Sequence, residues 1–74
     1  SMKKPFIKIG LELKSLRIKS GFTSYANFAW DNNLNKSQYW RMENGSNVTL
    51  KSLQKVLEIH NLTFYEFFQM MNKK

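Results

Sequence analysis

The sequence has no cysteine, one histidine, one proline and three glycines in 74 residues. Without cysteine there is neither a disulfide framework nor a thiolate metal site. A single imidazole, His60, cannot build a histidine zinc site, so no metal is expected. No glycine-rich phosphate loop is present, and no cofactor is expected. Carboxylates are also scarce, with five Asp and Glu against twelve Lys and Arg. That is thin material for acid–base catalysis, and no nucleophile stands paired with a base. An enzyme is therefore not expected. No apolar run approaches the ~20 residues that a membrane-spanning helix needs. Lys3 and Lys4 are not followed by an apolar signal core. A cytoplasmic protein with no membrane partner is the resulting expectation.

What remains is a small, apolar and strongly basic chain. At 42% apolar and 15% aromatic residues it carries enough material to pack a core. Packing is the one route open to it, because a domain this size buries only about 60% of its unfolded surface and has no staples. The net charge of +7 favours an anionic partner: nucleic acid, an anionic membrane or an acidic protein.

Apolar spacing and punctuation predict five helices and no strand. The first, at roughly residues 6–20, follows Pro5, repeats Ile9, Leu13 and Leu16 at helical spacing, and stops at Gly21. Thr23 or Ser24 caps a second helix from Tyr25 to about Asn32, carrying Ala26, Phe28, Ala29 and Trp30. Asn33 tolerates the left-handed conformation and serves as its terminator. Asn35 caps a third helix at roughly residues 36–44, with Tyr39 and Met42 inward and Lys36, Ser37, Trp40, Arg41 and Asn44 outward. After Gly45, Thr49 caps a fourth helix with Leu50, Leu53, Val56 and Leu57 as its stripe. Asn61 ends it, and Thr63 caps the fifth, which holds Phe64, Phe67, Phe68, Met70 and Met71. The reading is a single all-α domain over residues 6–71, with residues 1–5 and 72–74 as flexible ends.

Two short helices joined by a tight turn, the second polar on its outer face, suggest helix-turn-helix. The segment from Phe28-Ala29 to Glu43-Asn44-Gly45 resembles the lambda-repressor-like family, the Cro/CI or xenobiotic-response-element type of transcriptional regulator. Phe28-Ala29 stands where the family has Leu-Ala. Tyr39 and Met42 stand at its buried positions in helix 3, and Glu43-Asn44-Gly45 at its Glu-x-Gly ending. Leu16-Arg17 followed by Gly21 is similar to the end of the family's helix 1, and Leu62-Thr63-Phe64 to the start of its helix 5. The resemblance spans roughly residues 7–68. Departures are Asn33 for the turn glycine, Asn32 for an apolar residue, a first loop longer by one residue, and His60 for a core Leu.

The resemblance implies a sequence-specific regulator that binds double-stranded DNA as a homodimer, on the nucleoid. Its third helix would lie in the major groove. Base contacts then fall to Lys36, Ser37, Gln38, Trp40 and Arg41. Arg41 has two donors for guanine, and Gln38 turns toward the buried side of the wheel. Trp40 is open to two roles, contact with thymine methyls or sugars, or packing at neighbouring side chains or a protein interface. Phosphate contacts fall to Ser24 or Tyr25, and to Asn44, Asn47, Thr49, Lys51 and Lys55. Arg17 and Glu43 are expected to pair structurally, and Ala29 to let helices 2 and 3 approach closely. His60 is expected as a half-buried residue with one hydrogen-bond partner.

Ile7, Leu11 and Ile18 form a second apolar stripe on helix 1. Tyr65, Met70 and Met71 are surplus on helix 5, which suggests a dimer surface there. Two further functions are compatible with the same fold: an antitoxin that also binds a toxin partner, and a protein-interaction module that does not bind DNA.

Overall fold

The computed structural model describes residues 4–46 and 48–73. Among these, five helices and no strand form: α1 Lys4–Lys19, α2 Tyr25–Asp31, α3 Lys36–Glu43, α4 Leu50–Ile59 and α5 Phe64–Asn72. The expected all-α architecture is present. Helix α1 begins at Lys4, two residues ahead of the expected start, and α5 runs to Asn72. Pro5 fits the first turn because an N–H there has no acceptor within the helix. Asn32, expected inside helix 2, caps it.

Each of the four later helices opens on a side-chain cap. Ser24, Asn35, Thr49 and Thr63 accept from the backbone N–H three residues on. At Thr63 the cap is reciprocal: Thr63 N–H donates to Glu66 Oε1 at 2.9 Å, and Glu66 N–H to Thr63 Oγ1 at 3.1 Å. The first four helices also end alike. Gly21, Asn33, Gly45 and Asn61 all have positive φ. In each case the next residue's N–H returns to a carbonyl five residues back: Phe22 to Arg17, Leu34 to Ala29, Ser46 to Arg41 and Leu62 to Leu57. This is the Schellman turn, and Phe22, Leu34 and Leu62 then pack on the core.

The core consists of Leu13, Phe28, Ala29, Tyr39, Met42, Leu53, Val56, Leu57 and Phe67. Helix α1 packs along α3 and also meets α2 and α5, while α2 packs on α3 and α4 on α5. The α1–α3 crossing depends on Gly10, which is buried. A Cβ there would stand 2.7 Å from the Met42 carbonyl oxygen and would also meet that of Glu43. Nothing in the apolar pattern singled out Gly10. Leu50 is 71% exposed, so the α4 stripe begins at Leu53, and Trp30 is 86% exposed on α2. Met71, expected to be surplus, packs against the core, and the Glu12 carboxylate is buried.

His60 caps the end of α4. Its ring stacks on Phe28 with centroids 5.4 Å apart and planes 8° from parallel. Its Nε2 is buried without a hydrogen-bond partner, which corrects the expectation of one. Burial lowers the imidazole pKa below its ordinary 6.5. The unfolded chain therefore takes up a proton at higher pH than the folded chain does. Stability from this source is complete above pH 6.5 and falls as the pH drops through the lowered value. His60→Leu should raise stability by about 1 kcal/mol at neutral pH, because it removes a buried polar atom without a partner. It should also flatten the acid-side decline. Urea midpoints of both proteins on either side of pH 6.5 check this; parallel pH profiles would contradict it.

Candidate nucleic-acid interface

Helix α3 is amphipathic in a way that fixes which face is free. Tyr39, Met42 and Glu43 are buried, while Lys36, Ser37, Gln38, Trp40 and Arg41 are exposed. Its carboxyl end is held by the Arg17–Glu43 pair, with both side chains 5% exposed. The guanidinium binds as a fork, Nε to Oε2 at 2.8 Å and Nη2 to Oε1 at 3.0 Å. Its third nitrogen, Nη1, donates to the carbonyls of Phe22 and Thr23 at 2.9 and 2.7 Å. One side chain thus joins the end of α1, the loop to α2 and the end of α3. The hydrogen bonds to Glu43 raise the guanidinium pKa above its ordinary value, against the opposing effect of burial. The Tyr39 hydroxyl is buried beside the pair, near enough to Glu43 to feel its carboxylate but, among the described residues, without a well-formed hydrogen bond. Burial first, and the Glu43 carboxylate second, push its pKa well up.

The outward residues of α3 do not stand alone. Gln38, expected on the buried side of the wheel, is exposed and lines a groove between α3 and α4. Thr49, Lys51 and Lys55 line the same groove, over a floor that includes Tyr39, Met42 and Val56. Residues assigned separately to bases and to phosphates therefore share one cleft. Thr49 caps α4 and exchanges hydrogen bonds with Ser52, at 3.1 Å from Ser52 N–H and 2.9 Å to Ser52 Oγ.

On the other side, Tyr25, Trp40 and Asn44 line a shallow depression with Leu11 and Lys14 of α1. Trp40 is 48% exposed, and this depression joins it to α1. Tyr25 is half-buried and packs partly on the core. Ser24 already accepts from Asn27 N–H at 3.2 Å, and Asn44 Nδ2 donates to the Trp40 carbonyl at 2.8 Å. Both keep their outward exposure only in part or in full, as half-buried and exposed residues respectively. Asn47 lies outside the described residues.

Lys14 was not singled out from the sequence as a site residue. The signal available was its helical spacing from Leu11, which sets both on one face of α1. Among the described residues, no three His, Cys, Asp or Glu side chains gather to hold a metal ion. No helix among them is long and apolar enough to cross a membrane. No family model matches the chain, and neither does any curated protein or solved structure.

Proposed function

We propose that the protein is a sequence-specific, non-catalytic DNA-binding regulator of the lambda-repressor-like helix-turn-helix type, with α2 and α3 as the motif. The observation that carries this reading is the exposed row of Lys36, Ser37, Gln38 and Arg41 on a helix whose opposite face is buried. The cationic groove of Lys51 and Lys55 borders that row. A helix held this way presents donors to base edges while the neighbouring lysines meet phosphates. Arg41 offers a fork for guanine, and exposed Gln38 can pair with adenine. Trp40 faces the α1 side and is not counted among the base readers.

The net charge of +7 supplies the non-specific attraction. The described residues extend 30 Å along their longest axis and carry a single α3, whereas successive major-groove half-sites lie ~34–36 Å apart. Reading two half-sites therefore takes two copies. The dimer surface we assign is α5, where Tyr65 is 73% and Phe68 40% exposed.

Arg41→Ala should relax the preference at one base pair and cost about 1–3 kcal/mol on the best site. Lys51→Ala should weaken all sequences alike and lower the slope of log affinity against log salt by about 1. Selection from a random DNA pool, followed by salt-dependent gel shifts, reads both effects. A wild-type protein that selects no motif and shows no salt-dependent binding would refute the proposal. An Arg41→Ala protein selecting an unchanged motif would refute the base-reading role of Arg41.

A further inference from the structure

The outer face of α1 is apolar in a pattern that the core does not need. Ile7, Leu11 and Ile18 are 46%, 59% and 48% exposed, although Gly10, Leu13 and Arg17 on the inner face are buried. Ile7, Leu11, Lys14 and Ile18 follow one another at steps of four, three and four residues. That is the spacing of a coiled-coil seam, with one polar residue of the kind that fixes register. Leu11 lies at the centre. It lines one depression with Lys8, Glu12 and Met71, where Glu12 is buried, and another with Lys14 and Trp40. A partner helix lying on the seam would find a pocket on each side.

The charges select the partner. Lys4, Lys8, Lys14 and Lys19 are exposed, and Glu12, the one carboxylate of α1, is turned inward at 3% exposure. A second copy docked by two-fold symmetry would set this cationic stripe against itself, which is repulsive. A lipid surface favours a broad apolar face, whereas this stripe is narrow, interrupted by Lys14 and flanked by pockets. We propose that the outer face of α1 docks an acidic amphipathic helix of another protein, with apolar residues along the seam and a carboxylate opposite Lys14. This face contains none of Lys36, Ser37, Gln38 or Arg41, although its Lys14–Trp40 depression also holds Tyr25 and Asn44, which the DNA reading assigns to phosphates.

The test uses the full chain and a three-heptad synthetic helix with Leu along its seam and Glu beside it, followed by fluorescence anisotropy. Binding is expected, about tenfold weaker for Leu11→Ser, the loss typical of truncating a central apolar contact. Lys14→Glu should weaken it similarly, and a peptide with Lys at the facing position should restore binding to that variant. In a Trp30→Phe background the remaining Trp40 emission should shift to the blue on binding. Circular dichroism and a gel shift on random DNA should be unchanged for Leu11→Ser, whose side chain is mostly exposed. Absent peptide binding, or binding indifferent to both variants, overturns the proposal. Leu11-dependent self-association in sedimentation would overturn it in favour of a second copy. Leu11-dependent uptake by anionic vesicles without peptide binding would overturn it in favour of a membrane.

Discussion

Arg17→Met is expected to destabilise the domain by about 3–5 kcal/mol, the usual cost of leaving one partner of a buried pair alone. The charge left behind would be Glu43, only 9% exposed as a residue. Four interactions disappear with the guanidinium: two to Glu43 and two to the carbonyls of Phe22 and Thr23. Small domains hold roughly 5 kcal/mol in total, near the bottom of the range for folded proteins. The variant should therefore be largely unfolded at moderate temperature, and a urea titration followed by circular dichroism measures the loss. Arg17→Lys should recover only part of it, because an ammonium keeps the charge but not the fork.

The pair's contribution is not the same quantity as the cost of breaking it. Replacing both partners, as Arg17→Met with Glu43→Met, removes the stranded charge, and such swaps are often neutral. Here the recovery should be incomplete, because the Phe22 and Thr23 carbonyls still lose their donor. A double variant no more stable than Arg17→Met alone would show that the loop hydrogen bonds, and not the ion pair, carry the effect. Either way the functional readout is α3. Its carboxyl end is held by Glu43, so the exposed row from Lys36 to Arg41 depends on a buried contact outside that row.

The helices were legible because their punctuation is local. Asn33 and Asn61 take positive φ as readily as Gly21 and Gly45 do here, and Ser24, Asn35, Thr49 and Thr63 are side-chain caps. The pairing of Arg17 with Glu43 spans 26 residues, and no periodicity could place it; it came from the family resemblance. Gln38 departs from its expected burial for a different reason. A wheel gives an angle around one helix, but the width of the buried sector depends on the neighbours, and α4 leaves a groove beside Gln38. Leu50 failed the same way, being apolar at the first position of α4, before the helix meets its partners. Glycine carries no signal in an apolar pattern, which is why Gly10 was silent.

Gly10 supports the second large prediction. In an exposed helix interior, glycine to alanine stabilises by roughly 0.5–1 kcal/mol, because alanine has less backbone freedom to lose. At Gly10 the sign should reverse. The added Cβ would meet the carbonyl oxygens of Met42 and Glu43, which are backbone atoms and cannot rotate aside. Helix α3 would have to move off α1, and overpacking of this kind costs about 1–3 kcal/mol, with Gly10→Val at or beyond the upper end. Gly21→Ala provides the control. It has no neighbour within 4 Å but sits at φ 99°, so its cost is purely conformational, about 1–2 kcal/mol. The two variants should separate in function. On the proposed DNA reading, Gly21→Ala should lose affinity only in proportion to the unfolded fraction, whereas Gly10→Ala should shift α3 relative to Lys51 and Lys55 and lose more than that fraction. Urea titrations paired with gel shifts distinguish them. A stabilised Gly10→Ala would mean that α1 and α3 do not approach closely in solution, and the placement of the α3 row beside the α4 groove would fall with that contact.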